Sequence, residues 1–534
     1  MNLEEVNFFV WGLFIRCFGF IYLFSFVSLL VQVKVMNKIT PIQPWLNAAK
    51  RDMGFKCYYR FPTLCWISST NFSLYLQCII GIISSISIMY GYYTKFCFLI
   101  CYIIFLSLAT ALIEFICYPW DNLILESGFF MIFLPNILPI HLGISSIHLP
   151  LPILTLIFWW IQFHFILGMG KRKYYISSPK TFYKRWFSWI KHFDYIKWYL
   201  MWQPIPSKLA YYMFRFPMWF HYFIHVAHFI DEMIFPFFFF APLKIRYVVN
   251  ILNAILMIGI IGCGNFGIFP PLGFILCFPI FDTRSFTELF LSLFSPNSFQ
   301  EIILHFFIFP IIIIGGIFNL QFCFWTNNCW LYSQKIIQIS NKNIILKKIF
   351  DFYRFLHPFH IMNSYGVFFV ETLKERNCYA ILGSNDKKEW KEYQFKYLPT
   401  NKESIPQSLL GYQPRIDQTF FYMGYERFFA NYHNPYFSYS RRWFYHFLKL
   451  VSNHDIDVMT LFKVIPFKEK PPKYLRVIKR TIDFDYDSNE FWFKENGDDE
   501  IEISNVKNIL HQNVFHPSLF ESPFFQKESG IKIE

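Results

Sequence analysis

Charge is scarce in this sequence, and long stretches of it have none. Only 16% of the 534 residues are Asp, Glu, Lys or Arg, against about 25% in an ordinary soluble domain. No charged residue occurs in 61–94, 96–113, 127–170, 247–281 or 302–334. A helix needs about 20 apolar residues to cross about 30 Å of hydrocarbon at about 1.5 Å per residue. Each of these stretches holds at least one candidate span, which excludes a soluble globular enzyme. Other absences narrow the chemistry. There are 12 cysteines but no C-x-x-C pair, so neither a thioredoxin-like redox motif nor a zinc site is indicated. Cys57 with Cys65, or Cys329 with Cys378, could pair as disulfides. The other eight lie in or beside apolar segments, where Cys behaves as a small hydrophobe. There is no G-x-S-x-G, H-E-x-x-H or P-loop. Gly262-Cys263-Gly264-Asn265-Phe266-Gly267 fails the dinucleotide pattern, because its third glycine comes one place early and it follows a membrane helix. No cofactor and no metal are expected. No cleavable signal peptide is expected either: Phe8–Val33 is too long for a signal core and reads as a first span. The scarcity of Ala and Gly beside 71 Phe fits an AT-rich genome and carries no function.

What charge there is lies unevenly. Residues 1–340 hold 22 basic and 12 acidic residues, and 341–534 hold 27 and 24. Two segments, 34–60 and 171–197, hold 14 basic residues against two acidic ones. This excess borders the spans, so it argues against a nucleic-acid partner and reads as two cytoplasmic loops. Beyond about residue 340 charges become regular and short apolar runs alternate with turn residues. Strands are predicted at 365–370, 379–383 and 393–397, with a turn at Ser384-Asn385-Asp386. Helix is predicted over 419–451 and further alternation over 463–493. The predicted architecture is an α-helical polytopic membrane domain (1–340, about seven to nine spans), followed by a β-rich soluble domain with helical insertions (341–495) and a polar, poorly ordered tail (496–534). Span positions are 8–33, 72–93, 96–118, 128–148, 150–169, 217–243, one or two within 247–281, and 301–326. An odd number of spans after the second basic loop would put the soluble domain on the opposite face, lumenal or periplasmic.

Ionisable groups inside spans are costly and are functional candidates by default. Arg16 lies within the first span, Glu114 ends the third, and Asp121 and Glu126 flank the next break. A buried charge needs a partner, so Arg16 is expected to pair with one of these acids. His221 and His225 stand at i and i+4, a spacing metal ligands use, but core or interfacial histidines are the commoner case.

One family accounts for these residues in order. Tyr118-Pro119-Trp120-Asp121-Asn122-Leu123-Ile124-Leu125-Glu126-Ser127-Gly128-Phe129-Phe130 resembles the W-D-x-L-L-L-E-T-G-F-L segment of the lipase maturation factor family. Arg16 to Gln32 resembles its first span, Gly168-Met169-Gly170-Lys171 its G-V-V-K, Gln203-Pro204-Ile205-Pro206 its Q-P-x-P, and Gly264-Asn265-Phe266 its G-N-Y. In the second half Asn363-Ser364-Tyr365-Gly366 resembles N-S-Y-G, and Tyr412-Gln413-Pro414-Arg415-Ile416-Asp417 resembles H-Q-P-R-L-D. The pattern departs at Gln162, where the family has Arg, and at Gln418, where it has Trp.

The resemblance implies an endoplasmic-reticulum membrane protein (inner membrane in bacteria) that assists folding and assembly of secreted lipases, a role closer to a chaperone's than to an enzyme's. Its partners would be the lipid bilayer and secreted client proteins. Functional candidates in the membrane half are Arg16, Glu114, Trp120, Asp121, Glu126, Lys171, Gln203 and Asn265. Client-contact candidates are Gln413, Pro414, Arg415, Asp417, Phe428, Tyr432 and Phe437, the last three from an aromatic-dense segment suited to an exposed binding surface. The alternative is a membrane-embedded enzyme, distantly similar to the membrane domain of vitamin-K-dependent carboxylase, using the intramembrane carboxylates.

Overall fold

The computed structural model describes residues 2–116, 118–174, 195–201, 203–296, 301–302, 305–306, 344–363, 365, 377–398, 408–409, 411–423, 440–484 and 493–501. Helix α1, Leu3–Ile39, is its longest element. Asn2 caps it by accepting from the Glu5 N–H, the Glu5 carboxylate accepts from the Asn2 N–H in return, and no proline interrupts the run before Pro41. Its 37 residues measure about 55 Å at 1.5 Å per residue. That exceeds a hydrocarbon core of about 30 Å, so α1 both crosses the membrane and stands clear of it.

The chain continues through α2 (Ile42–Met53) and α3 (Lys56–Arg60), then recrosses as α4 (Asn71–Tyr90) and α5 (Thr94–Ala111). Helix α6 (Pro119–Met131) leads back towards the start of α1, and α7 (Pro152–Tyr174) runs in the opposite direction. A continuous helical run, α8 (Met218–Phe240), and α9 (Leu243–Cys263) follow. Among the described residues six helices are long and apolar enough to span: α1, α4, α5, α7, α8 and α9. The expected span at 301–326 lies almost wholly outside the described residues. A shorter apolar stretch, Phe269–Phe281, packs between α9 and α1.

Residues 128–148 do not form the expected span. Helix ends at Met131, and the chain makes a hairpin in which Ile137 bridges Ser146. Pro135 and Pro139 deny a helix its N–H donors, and Gly143 adopts a positive φ of 138°. The hairpin closes the end of the bundle where α1 begins. Ser146 N donates to the Phe8 carbonyl at 2.9 Å, and a Cβ on Gly12 would sit 2.0 Å from the Ile144 carbonyl oxygen.

The C-terminal half contains a five-stranded antiparallel sheet in the order β3-β2-β1-β4-β5, with β1 Asn377–Ser384, β2 Lys391–Phe395, β3 Phe462–Val464, β4 Tyr474–Phe484 and β5 Phe493–Ile501. The strands expected at 379–383 and 393–397 are β1 and β2, joined at the expected turn. Residues 366–370 lie outside the described residues. Strand β5 runs through Asn496, where a poorly ordered tail was expected. Its register sets Asp499 opposite Lys479 and Asp498 opposite Arg480, the opposite-charge pairing that favours neighbouring strands. Helices α11 (Arg415–Met423) and α12 (Ser440–Ser452) cover one face of the sheet. Phe395 lies 4.6 Å from Phe420 and 6.2 Å from Phe447, ring to ring. Helix α10 (Ile344–Leu356) precedes this unit.

The soluble half docks on the C-terminal end of α1. Lys34 Nζ is 2.6 Å from Asp457 Oδ1, Lys38 Nζ is 2.6 Å from Asp455 Oδ2, and His446 Nδ1 is 2.6 Å from the Ile39 carbonyl oxygen. Segment 34–60 and the soluble domain therefore share one face, against the expected opposition across the membrane. The charge rule counted Lys34 and Lys38 as loop charges, whereas they are ion-paired on the last turns of a helix. Segment 34–60 is itself mostly helical. Cys57 and Cys65 are buried free thiols, while Cys329 lies outside the described residues.

Two outcomes follow. Cysteines placed at the exposed positions Asn47 and Ile456 should be labelled by an impermeant maleimide from the same side of sealed vesicles. Gly12→Ala should destabilise the bundle by about 1–3 kcal/mol through overpacking, read as a lower midpoint of thermal aggregation in detergent.

Candidate functional site

Asp121 occupies the first turn of α6, where a carboxylate suits the positive end of the helix dipole. Its Oδ2 accepts from the Tyr118 N–H at 3.2 Å, closing the turn. Its remaining capacity is taken by a residue almost 300 positions later: Arg415 Nη2 donates to Oδ1 at 2.7 Å and Nη1 donates to Oδ2 at 2.9 Å. Both side chains are 1% exposed. Arg415 Nη1 also donates to the Phe115 carbonyl at 3.1 Å. A planar guanidinium matches a carboxylate in this two-pronged way. Burial makes the pair costly to assemble and far costlier to break on one side, because the survivor is an uncompensated charge.

Around the pair the two halves exchange backbone bonds. Gln32 on α1 accepts from the Arg415 N–H at 2.9 Å and donates to the Gln413 carbonyl at 2.8 Å. Ser28, one turn earlier, donates to the same carbonyl at 3.2 Å. Asn265, just after α9, accepts from the Leu409 N–H at 2.8 Å and donates to the Ile205 carbonyl at 3.2 Å. Gln418 donates to the Asn265 carbonyl at 3.4 Å and accepts from Gln413 Nε2 at 2.9 Å. Close approach is needed at two glycines. A Cβ on Gly264 would meet Gln203 Oε1 at 2.2 Å, and one on Gly267, whose φ is 60°, would meet Gln413 Cβ at 2.7 Å.

A second junction lies two turns along α6. Glu126 Oε2 accepts from the Tyr365 hydroxyl and from Asn363 Nδ2, and Glu126 Oε1 is 3.6 Å from His164 Nε2. His164 stacks on Tyr365 with centroids 5.1 Å apart. Asn363 and Tyr365 are thus anchored in the helical bundle. Tyr365, expected to open a strand, has no strand conformation.

The remaining sequence candidates fall into place around this joint or away from it. Trp120 is buried, stacked on Tyr118 at 4.7 Å and tilted against Phe269 at 5.6 Å. Glu114 is half-buried in the turn after α5. Arg16 lies at the other end of the bundle and pairs with no acid among the described residues: its guanidinium donates to the carbonyls of Met89, Leu138 and Gly143. Backbone carbonyls released by the hairpin and the α4–α5 turn supply its partners, a solution that side-chain patterning could not reveal. Lys171 lies in α7 and its side chain is not among those described. Gln413, Pro414, Arg415 and Asp417, expected at a client surface, are buried in or beside the joint. Phe428, Tyr432 and Phe437 lie outside the described residues. Of the same aromatic segment, Trp443, Phe444 and Phe447 are core residues.

His221 Nε2 lies 3.1 Å from the Phe216 carbonyl oxygen, and His228 Nδ1 lies 2.9 Å from that of Ile224. Each of these rings contacts backbone of its own segment. Ser28 and Asn253 were missed by sequence reading. A lone polar residue in an apolar helix is the signal that could have found them. Asn253 accepts from Gln162 Nε2 at 2.9 Å and donates to Asp231 Oδ2 at 2.8 Å.

Residues 10–288 match the family described as lipase maturation factor transmembrane domain, and residues 361–499 match the lipase maturation factor C-terminal domain. The chain belongs to the lipase maturation factor family. It is a multi-pass integral membrane protein. Lipase maturation factor 1 of Mus musculus is 23% identical over 494 residues, covering 86% of this chain and 80% of that protein. Lipase maturation factor 2 of Xenopus laevis is 23% identical over 635 residues, covering 98% and 84%. Lipase maturation factor 1 of Homo sapiens is 21% identical over 490 residues, covering 86% and 80%. No solved structure matches the chain. The segments that carry the family resemblance converge at the joint: the W-D segment through Asp121, Q-P-x-P through Gln203, G-N-F through Asn265, and Q-P-R through Gln413 and Arg415. Gln418, which replaces the family's Trp, is built into the same network.

Replacing Asp121 by Asn should cost about 3–5 kcal/mol by leaving the guanidinium buried and unpaired. The double variant Asp121→Leu, Arg415→Met should recover most of that loss, both read as thermal midpoints in detergent. Asp417, in the soluble half, gives a pH signature. Burial pushes its carboxyl up to about 7, so the folded state keeps the proton while the unfolded chain, with a pKa of about 3.9, loses it. Asp417 therefore destabilises progressively as pH rises from about 4 to about 7. Asp417→Asn removes this titration and can still accept from the Tyr397 N–H. Its thermal midpoint relative to the unsubstituted protein should be higher at pH 8 than at pH 5.

Proposed function

We propose that this chain is a membrane-anchored maturation factor that assists the folding and assembly of secreted lipases. The observation that carries the reading is that both family domains match in one chain and are locked together by Asp121 from one and Arg415 from the other. A folding factor of this kind must hold its soluble domain at a fixed height and angle over the membrane, where a newly made client emerges. The joint does that through buried bonds to α1, α6 and the end of α9.

The membrane domain extends to about residue 340 in this reading, and the soluble domain follows it. The membrane is that of the endoplasmic reticulum, and the face bearing the soluble domain is lumenal. The candidates of the membrane half act by positioning: Asp121, Gln203 and Asn265 fix the soluble domain, Glu126 fixes Asn363 and Tyr365, and Arg16 closes the opposite end. Gln413, Arg415 and Asp417 serve the same joint, while Phe428, Tyr432 and Phe437 remain the proposed client contacts. An acid–base role for the carboxylates is less well supported, since Asp121 and Glu126 are each engaged by partners from the other half.

The test is expression in cells deprived of their own lipase maturation factors, together with a secreted lipase. Secreted lipase activity per amount of lipase protein should rise several-fold over background. Asp121→Asn should lose most of that gain. Background activity, with the chain present in the membrane at normal amount, would overturn the proposal.

A further inference from the structure

Segment 42–72 links the end of α1 to the start of α4, so it has little freedom to leave the membrane boundary. Several of its exposed side chains are nonetheless large and apolar. Phe55 is 91% exposed at the tip between α2 and α3, where Gly54 takes a φ of 56°. Ile67 is 87% exposed after a 3-10 turn, and Phe72 is 76% exposed on the first turn of α4. Phe72 does not stand alone. It heads the exposed stripe Phe72, Leu76, Ile79 and Ile83 on α4, spaced for one helical face. Ile67 lies five residues before Phe72, beside the head of that stripe, and follows Trp66 directly in the chain. Trp66 is linked to Phe55 through ring contacts of Tyr58 with Trp66 (4.9 Å) and with Phe55 (6.0 Å).

Basic groups border this surface. Residues 42–60 contain Lys50, Arg51, Lys56 and Arg60 against one acid, Asp52. Lys34 and Lys38 are occupied by Asp455 and Asp457, and Arg51 Nε lies 3.2 Å from Asp52 Oδ1, but Lys50 and Lys56 are exposed and make no ion pair among the described residues. Helix α10 adds to the same side. Its Phe355 meets Tyr59 at 6.2 Å, and its Lys347 and Lys348 are exposed.

We infer that this collar is a lipid-binding surface: Phe55 and Ile67 enter the leaflet on the soluble-domain face, and Lys50 and Lys56 take anionic headgroups beside them. Large apolar side chains flanked by lysine and arginine at the end of a span suit the headgroup boundary. Each basic residue near an anionic surface contributes attraction that falls off within a Debye length. A protein partner is the less favoured occupant, because the patch stands at the head of the exposed apolar stripe of a spanning helix, α4. The inference does not depend on the client or on the compartment that this face adjoins.

The full chain is spin-labelled at Phe55→Cys, Ile67→Cys or, as control, Ile456→Cys, which is 84% exposed on the soluble domain. It is then placed in nanodiscs of phosphatidylcholine with and without phosphatidylserine. Labels at 55 and 67 should collide with oxygen and be shielded several-fold from a water-soluble nickel chelate relative to 456. Phosphatidylserine retained per protein should exceed its bulk share, and the variant Lys50→Glu, Lys56→Glu should abolish the excess. The variant Lys50→Arg, Lys56→Arg should retain it. Nickel accessibility at 55 and 67 equal to that at 456 would overturn the proposal. So would shielding seen only when a client protein is added, or phosphatidylserine retention unchanged by charge reversal.

Discussion

The paired burial of Asp121 and Arg415 is the constraint on which the arrangement of the two halves depends. Neither group tolerates a dry interior alone. Asp121 is fixed by its place in the first turn of α6 and by its bond to the Tyr118 N–H, so the position of Arg415 is fixed with it. Arg415 begins α11, and α11 packs on the sheet through Phe420. One ion pair thus transmits the frame of the helical bundle to the β-rich unit. The hydrogen bonds of Ser28, Gln32 and Asn265 add direction, since they act on backbone groups and do not survive rotation of one half against the other.

Helix α1 supplies the second element of this frame. A span of ordinary length would end at the hydrocarbon boundary. Its extra turns carry Gln32 to the joint and Lys34 and Lys38 to Asp457 and Asp455. The side-chain bonds of Lys34 and Lys38 pull the Asp457 carboxyl below the usual carboxylate range. These exposed pairs contribute modestly to stability and help to set the angle at which the soluble half stands. The buried pair fixes where that half is attached.

Sequence alone exposed the membrane class, the β-rich character of the second half and the family, because charge-free length and ordered motifs are one-dimensional signals. It also singled out Asp121, Glu126, Gln413 and Arg415. What it did not reveal was their pairing. Asp121 and Arg415 are 294 residues apart, and no local periodicity links them. Arg16 was assigned an acidic partner because backbone carbonyls are invisible in a side-chain pattern. Residues 128–148 read as a span by composition although the chain makes a hairpin there, since lipid-facing and protein-buried apolar residues look alike. The shared face of segment 34–60 and the soluble domain escaped because charge counting cannot distinguish a loop lysine from one held by an aspartate of another domain.

Amide hydrogen exchange on the Arg415→Ala protein in nanodiscs tests the central claim most directly. Loss of the ion pair should speed exchange together in 119–131 and in 415–423, on both sides of the joint. Exchange in the paired strands β1 and β4, which do not depend on it, should stay unchanged. Faster exchange confined to 415–423, with 119–131 as protected as before, would show that Asp121 does not tie the two halves together.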